Sequence, residues 1–131
     1  MFLDSNVVLH FHLNVGKEGE ASKRLYARIF KGEQNVVISP IVLDEVVYHL
    51  MQRKGIDYAL SAWANTCKIP HLRIAPIDEA VVAHVPDFIR QGLEPHDAFH
   101  AAVMKANGIS VICSYDKDFD KIKGVKRQEP K

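Results

Sequence analysis

Four short apolar runs constrain this chain more than any other feature. They are FL near the start, NVVIS (35–39), HLRIAPI (71–77) and ISVICS (109–114). The last three are rich in β-branched residues, and each run is separated from the next by a longer amphipathic segment. KEGEASKRLYARIFKG (17–32) places Ala21, Leu25, Ile29 and Phe30 on one helical stripe and stops at Gly32. Ser39 and Pro40 supply an N-cap and a first-turn proline for the helix PIVLDEVVYHLMQRKG. IDYALSAWANTCK and DEAVVAHVPDFIRQG read as further helices, the second with a kink or break at Pro86. EPHDAFHAAVMKANG opens on Pro95 and stops at Asn107-Gly108. SNVVLHFHL (5–13) gives one or two helical turns, DKDFDKI a short helix or turn, and GVKRQEP a last edge strand. Buried strands alternating with helices predict βα units around a mainly parallel sheet.

At 131 residues the chain suits one domain, residues 1–131. A net charge of +1 excludes a whole-molecule field that attracts polyanions, so any nucleic-acid contact must use local patches. Cys67 and Cys113 stand far apart in no metal or redox pattern and are expected to be reduced, buried thiols in a cytoplasmic protein. The N-terminal segment lacks the basic leader of a signal peptide and gains charge too early to span a membrane.

In a parallel sheet, ligands bind beyond the carboxyl ends of the strands. Asp4 follows the first strand and Asp116 the late one; Asp97 opens the helix before that late strand. On the helix after NVVIS, Asp44 and Glu45 are adjacent and about 100° apart, so one points inward, and spacing leaves open which. The three aspartates also suit the plainer role of capping helices. Brought together, four carboxylates repel by about 1–4 kcal/mol per close pair. A hard dication, Mg²⁺ or Mn²⁺, removes that cost, and all-oxygen donors favour it over zinc. Such a pocket suits metal-assisted phosphodiester hydrolysis.

FLDSN, SPIVLDEVVYHL and LEPHDAFHAAVMKANGISVICSYDKDFDKIKGV, in this order over nearly the whole chain, resemble the PIN-domain ribonucleases, and among them the VapC-like toxins of VapBC toxin–antitoxin pairs. The resemblance implies a three-layer α/β/α sandwich around a parallel sheet. It matches Asp4, Glu45 (rather than Asp44), Asp97 and Asp116 to the acids that bind Mg²⁺ or Mn²⁺ and cut RNA. It makes Asn6 and Ser114 supporting groups around those acids, with Asp118 a lesser member of the DxDF pattern. It further implies an antitoxin partner and a homodimer.

His96 and His100 share a helix face, but no third ligand completes a zinc site. They read as bystanders to Asp97, with His96 near enough to touch a phosphate. The basic segments KRLYAR and KIKGVKR are candidate RNA contacts. Leu25, Ile29, Phe30, Tyr48, Leu50 and Met51 are candidates for an exposed apolar strip, and Trp63 for the core. A receiver-type phosphoacceptor would need paired acids after the first strand, and a haloacid-dehalogenase-type phosphatase would need DxDx[TV]; LDSNV supplies neither. A non-catalytic RNA-binding PIN domain would have lost acids that are all present here.

Overall fold

The computed structural model describes residues 1–131. Five strands form one sheet: β1 (Phe2–Leu3), β2 (Val36–Ile38), β3 (Leu72–Ile74), β4 (Val111–Cys113) and β5 (Lys126–Gln128). Their order is β3-β2-β1-β4-β5, and every neighbouring pair is parallel. The expected edge strand in GVKRQEP is β5, paired in register Val111 with Lys126. Six helices connect them: α1 (Ser5–Leu13), α2 (Gly16–Phe30), α3 (Pro40–Lys54), α4 (Ile56–Cys67), α5 (Glu79–Arg90) and α6 (Pro95–Ala106). A short 3₁₀ turn, Lys117–Lys121, precedes β5. The result is the three-layer α/β/α arrangement, with helices packed as the pairs α1–α2, α3–α4 and α5–α6.

The three inner strands carry the core of the sheet. Phe2, Leu3, Val36, Ile38, Ile112 and Cys113 lie within a single core cluster of 30 residues. The first crossover runs from β1 to β2, while β4 joins β1 on its other side. The strand order therefore reverses at β1 and β4, the switch point beyond whose carboxyl ends an open α/β sheet offers its binding crevice. Asp4 N–H donates to the Cys113 carbonyl at 3.1 Å, which stitches the two strand ends together. The helix starts behave as read: Asp4 caps α1, and Ser39 accepts from Val42 N–H at the start of α3. In α6, Ala98, Ala101 and Ala102 are buried, so small side chains allow a close approach that carries Asp97 to the sheet end.

Three expectations fail for identifiable reasons. Helix α5 is not broken at Pro86: Pro86 and Val82, one turn before it, are on the exposed side while Val81, Val85 and Phe88 anchor the inner face. Trp63 is 41% exposed, because α4 packs inward through the smaller Ala59, Ala62 and Thr66 and turns its indole outward. Cys67, the last residue of α4, is exposed, and only Cys113 is buried. Of the supposed apolar strip, Leu25, Ile29 and Leu50 belong to the core, whereas Phe30, Tyr48 and Met51 are exposed. No helix is long and apolar enough to cross a membrane.

Burial sets the expected cost of core damage. Ile38 is fully buried on an interior strand, whereas Ile74 at the sheet edge is 38% exposed. Ile38→Ala should destabilise by about 2–5 kcal/mol, seen as a lower urea midpoint at unchanged slope. Ile74→Ala should cost clearly less in the same measurement.

Candidate active site

Asp4 lies at the floor of the crevice and is only 2% exposed. A carboxylate buried this far needs donors, and the neighbouring chain ends provide them. Ser5 N–H reaches its Oδ1 at 2.7 Å. Asn6 Nδ2 donates to Oδ2 at 2.7 Å, and the Ser114 hydroxyl donates to the same oxygen. Asn6 also reaches Ser114 Oγ at 3.2 Å and accepts from Tyr115 N–H at 3.3 Å. Residues 4–6 at the end of β1 and 114–115 at the end of β4 are thus one hydrogen-bonded unit.

The other acids arrive from three further elements. Glu45 sits in the second turn of α3, half-buried, while Asp44 beside it is exposed; the inward acid is Glu45. Asp97 stands in the first turn of α6. Asp116 follows β4, where its N–H donates to Ser114 Oγ at 2.9 Å and its carboxylate accepts from Asp118 N–H at 2.8 Å. Asp116 is therefore both a member of the group and the cap of the 3₁₀ turn. Asp118 turns its own carboxylate to Lys121 Nζ at 2.6 Å, on the rim.

Electrostatics record how close the acids are. Asp97 is pushed up to about 6, first by burial and then by the negative charge of Asp4, with Asp116 and Glu45 adding to it and His100 opposing. Asp4 is raised chiefly by burial, against the pull of His100 and its hydroxyl and amide donors. Burial raises Glu45 too, but a hydrogen bond and charge from His100 outweigh it and hold the carboxyl below its usual range.

His100 is the functional neighbour that the sequence reading missed. It is fully buried, with Nε2 at 3.0 Å from Glu45 Oε2 and 3.7 Å from Asp4 Oδ1. Asp4, Asp97 and His100 offer donor atoms within 4.8 Å of one another. The signal was its spacing from Asp97, i to i+3, which puts both on one face of α6. His96 lies at the rim, Nδ1 at 3.7 Å from Glu45 Oε1. Arg127, expected among the basic RNA contacts, is engaged internally instead. It donates to the Ser114 carbonyl at 2.9 Å and pairs with Asp120 and Glu129, so it secures the end of β4.

Asp4 and Asp97 gain affinity for a proton from this crowding and burial, and a dication offers the same relief of charge at neutral pH. The donor atoms of Asp4, Asp97 and His100 lie within 4.8 Å of one another, Glu45 and Asp116 are near enough to act on Asp97, and the acids contribute hard oxygen. The residues present fit Mg²⁺ or Mn²⁺.

The PIN domain family model matches residues 1–125. Ribonuclease VapC13 of Mycobacterium tuberculosis is 26% identical over 132 aligned residues, covering 97% of this chain and 98% of the relative. Among solved structures, Mycobacterium tuberculosis VapC20, a sarcin-ricin loop cleaving toxin, superposes with a TM-score of 0.75 at 21% identity, covering 91% of this chain and 92% of that one. VapBC2 from Rickettsia felis, bound to a DNA fragment from its promoter, matches with a TM-score of 0.75 at 16% identity over 98% and 96% of the two chains. At these identities the structural likeness establishes the fold.

The crowding itself predicts a stability effect. Asp97 titrates near 6 when folded and near 3.9 when unfolded, so the folded state binds its proton more tightly. The penalty for ionising it is absent below about pH 4, grows between pH 4 and 6, and is complete above pH 6. In EDTA, Asp97→Asn should therefore raise stability at pH 7 by about 1 kcal/mol, allowing for solvent screening of a half-buried group. Thermal melts at pH 7 and pH 4 check this: the gain should be present at the first and vanish at the second.

Proposed function

The chain belongs to the PIN domain family, and from that premise we propose that it is a divalent-metal-dependent endoribonuclease, the toxin of a VapBC-type pair, acting as one nuclease domain over residues 1–131. The observation that carries this reading is the convergence of Asp4, Glu45, Asp97 and Asp116 on the crevice beyond β1 and β4, close enough for the other three acids to raise Asp97.

In this reading the four acids hold Mg²⁺ or Mn²⁺. When bound, the ion supplies charge neutralisation at the phosphate and lowers the pKa of an attacking water. The chain's own residues do the rest. Asn6 and Ser114 donate to one oxygen of Asp4 and fix the plane of that carboxylate, while Oδ1 accepts from Ser5 N–H and faces His100 Nε2 at 3.7 Å. Asp116 locks the loop after β4 by accepting from Asp118 N–H, which holds its carboxylate at the crevice mouth. Asp118 orients Lys121 at the rim, and Lys121 and Lys117 there offer cations to the RNA backbone. Water attack in line on phosphorus leaves a 5′-phosphate on one product and a 3′-hydroxyl on the other.

The partner reading has its own support. Phe30, Tyr48, Met51, Leu60 and Trp63 remain exposed on α2, α3 and α4, apolar surface of the kind a protein partner covers. We assign these helices to an antitoxin protein and a second copy of this chain. The site of action is the cytoplasm, where the substrate is found.

Incubation of the purified protein with single-stranded RNA tests the activity. Cleavage should require Mn²⁺ or Mg²⁺, stop in EDTA and leave 5′-phosphate ends. Asp97→Asn should cut at least ~100-fold more slowly, since loss of a metal ligand exceeds the effect of losing a group that merely supports one. Cleavage that persists in EDTA, or an Asp97→Asn protein as fast as the parent, would refute the assignment.

A further inference from the structure

The least expected group in the crevice is a histidine among carboxylates. His100 is fully buried, its ring held against Phe2 with centroids 5.4 Å apart, so it cannot swing away. Nε2 faces Glu45 Oε2 at 3.0 Å and Asp4 Oδ1 at 3.7 Å. Nδ1, on the other side of the ring, is buried with no hydrogen-bond partner.

Two roles compete for Nε2. It can present a lone pair to an ion, as its distance from the donors of Asp4 and Asp97 would allow. It can instead carry the ring proton and donate to Glu45. The environment of Nδ1 decides between them. A histidine that ligates a metal passes its other N–H to a carboxylate, carbonyl or water. Here that proton would be stranded in the core without an acceptor. On Nε2 the same proton meets a carboxylate at once, and a protonated Nε2 has no lone pair for a metal.

We infer that His100 is a positioning residue: it donates from Nε2 to Glu45, ties the carboxylate on α3 to the floor of the crevice, and thereby sets the donor geometry around the ion without binding it. Glu45 is on a different element from the other acids, its side chain is 19% exposed and its other neighbour, His96, lies out at the rim 3.7 Å away, so His100 is the group that directs it inward. The inference rests on the metal-site reading above.

Substitution separates the roles, because glutamine places an amide N–H where Nε2 stands whereas leucine and asparagine do not reach Glu45. Mn²⁺ binding followed by electron paramagnetic resonance is the readout, with circular dichroism to confirm folding. His100→Gln should bind Mn²⁺ within about threefold of the parent, while His100→Leu and His100→Asn should each weaken it by about 10–100-fold, the usual effect of removing a ligand's support. RNA cleavage should follow the same order through kcat rather than KM. The Mn²⁺ signal of the parent should lack the hyperfine coupling of a directly bound imidazole nitrogen. Three results would overturn the inference: such a coupling, a folded His100→Leu or His100→Asn protein that binds Mn²⁺ as the parent does, or a His100→Gln protein as weak as the leucine variant. A parent that binds Mn²⁺ but cuts no RNA would sink the nuclease reading and leave the binding comparison able to judge His100.

Discussion

The arrangement depends on one buried carboxylate. Asp4 gives up almost all its water at the end of the central strand, and everything near it compensates. Ser5 N–H, the Asn6 amide and the Ser114 hydroxyl satisfy its oxygens, and Asn6 in turn holds Tyr115 N–H. A buried charge with a full set of donors is tolerable; the same charge half-satisfied would be a severe cost. The two central strands are therefore tied together at their carboxyl ends by polar contacts, and the crevice keeps its shape because these contacts leave little slack.

Around that fixed point the molecule keeps a deliberate imbalance. Asp97 and Asp116 add negative charge from α6 and from the loop after β4, and Glu45 adds it from α3. Asp116 also caps the 3₁₀ turn, but Asp97 and Glu45 are not caps: α6 starts after Glu94 without a side-chain cap, and α3 already has its cap in Ser39. The raised Asp97 shows local stability given up, the pattern expected of a site rather than of a packing solution. Arg127 helps the frame bear this strain by gripping the Ser114 carbonyl from the far side.

Much of this was legible in the residues. The brevity of NVVIS and ISVICS and their β-branched content foretold strands buried on both faces, and Ser39-Pro40 and Asn107-Gly108 marked helix ends. The residue pattern also placed three aspartates at strand or helix ends. What local pattern could not carry was orientation against the rest of the molecule. Trp63 read as core because tryptophan is large and apolar, yet the close packing of α4 through alanines turns it outward. Pro86 read as a kink or break, yet it lies on the exposed side of α5 and the helix continues through it.

The sequence by itself determined which segments become strands and helices, and therefore that acids following strands gather at one sheet end. Hydrophobic period and capping chemistry are local, and a reader of residues has all their terms in hand. Only the tertiary structure decided that Glu45 and not Asp44 turns inward on geometry, that Arg127 is a brace and not a free cation, and that His100 stands among the acids. Those outcomes depend on distances between residues as far apart as Glu45 and His100, and such distances exist only once the sheet has set its strand order.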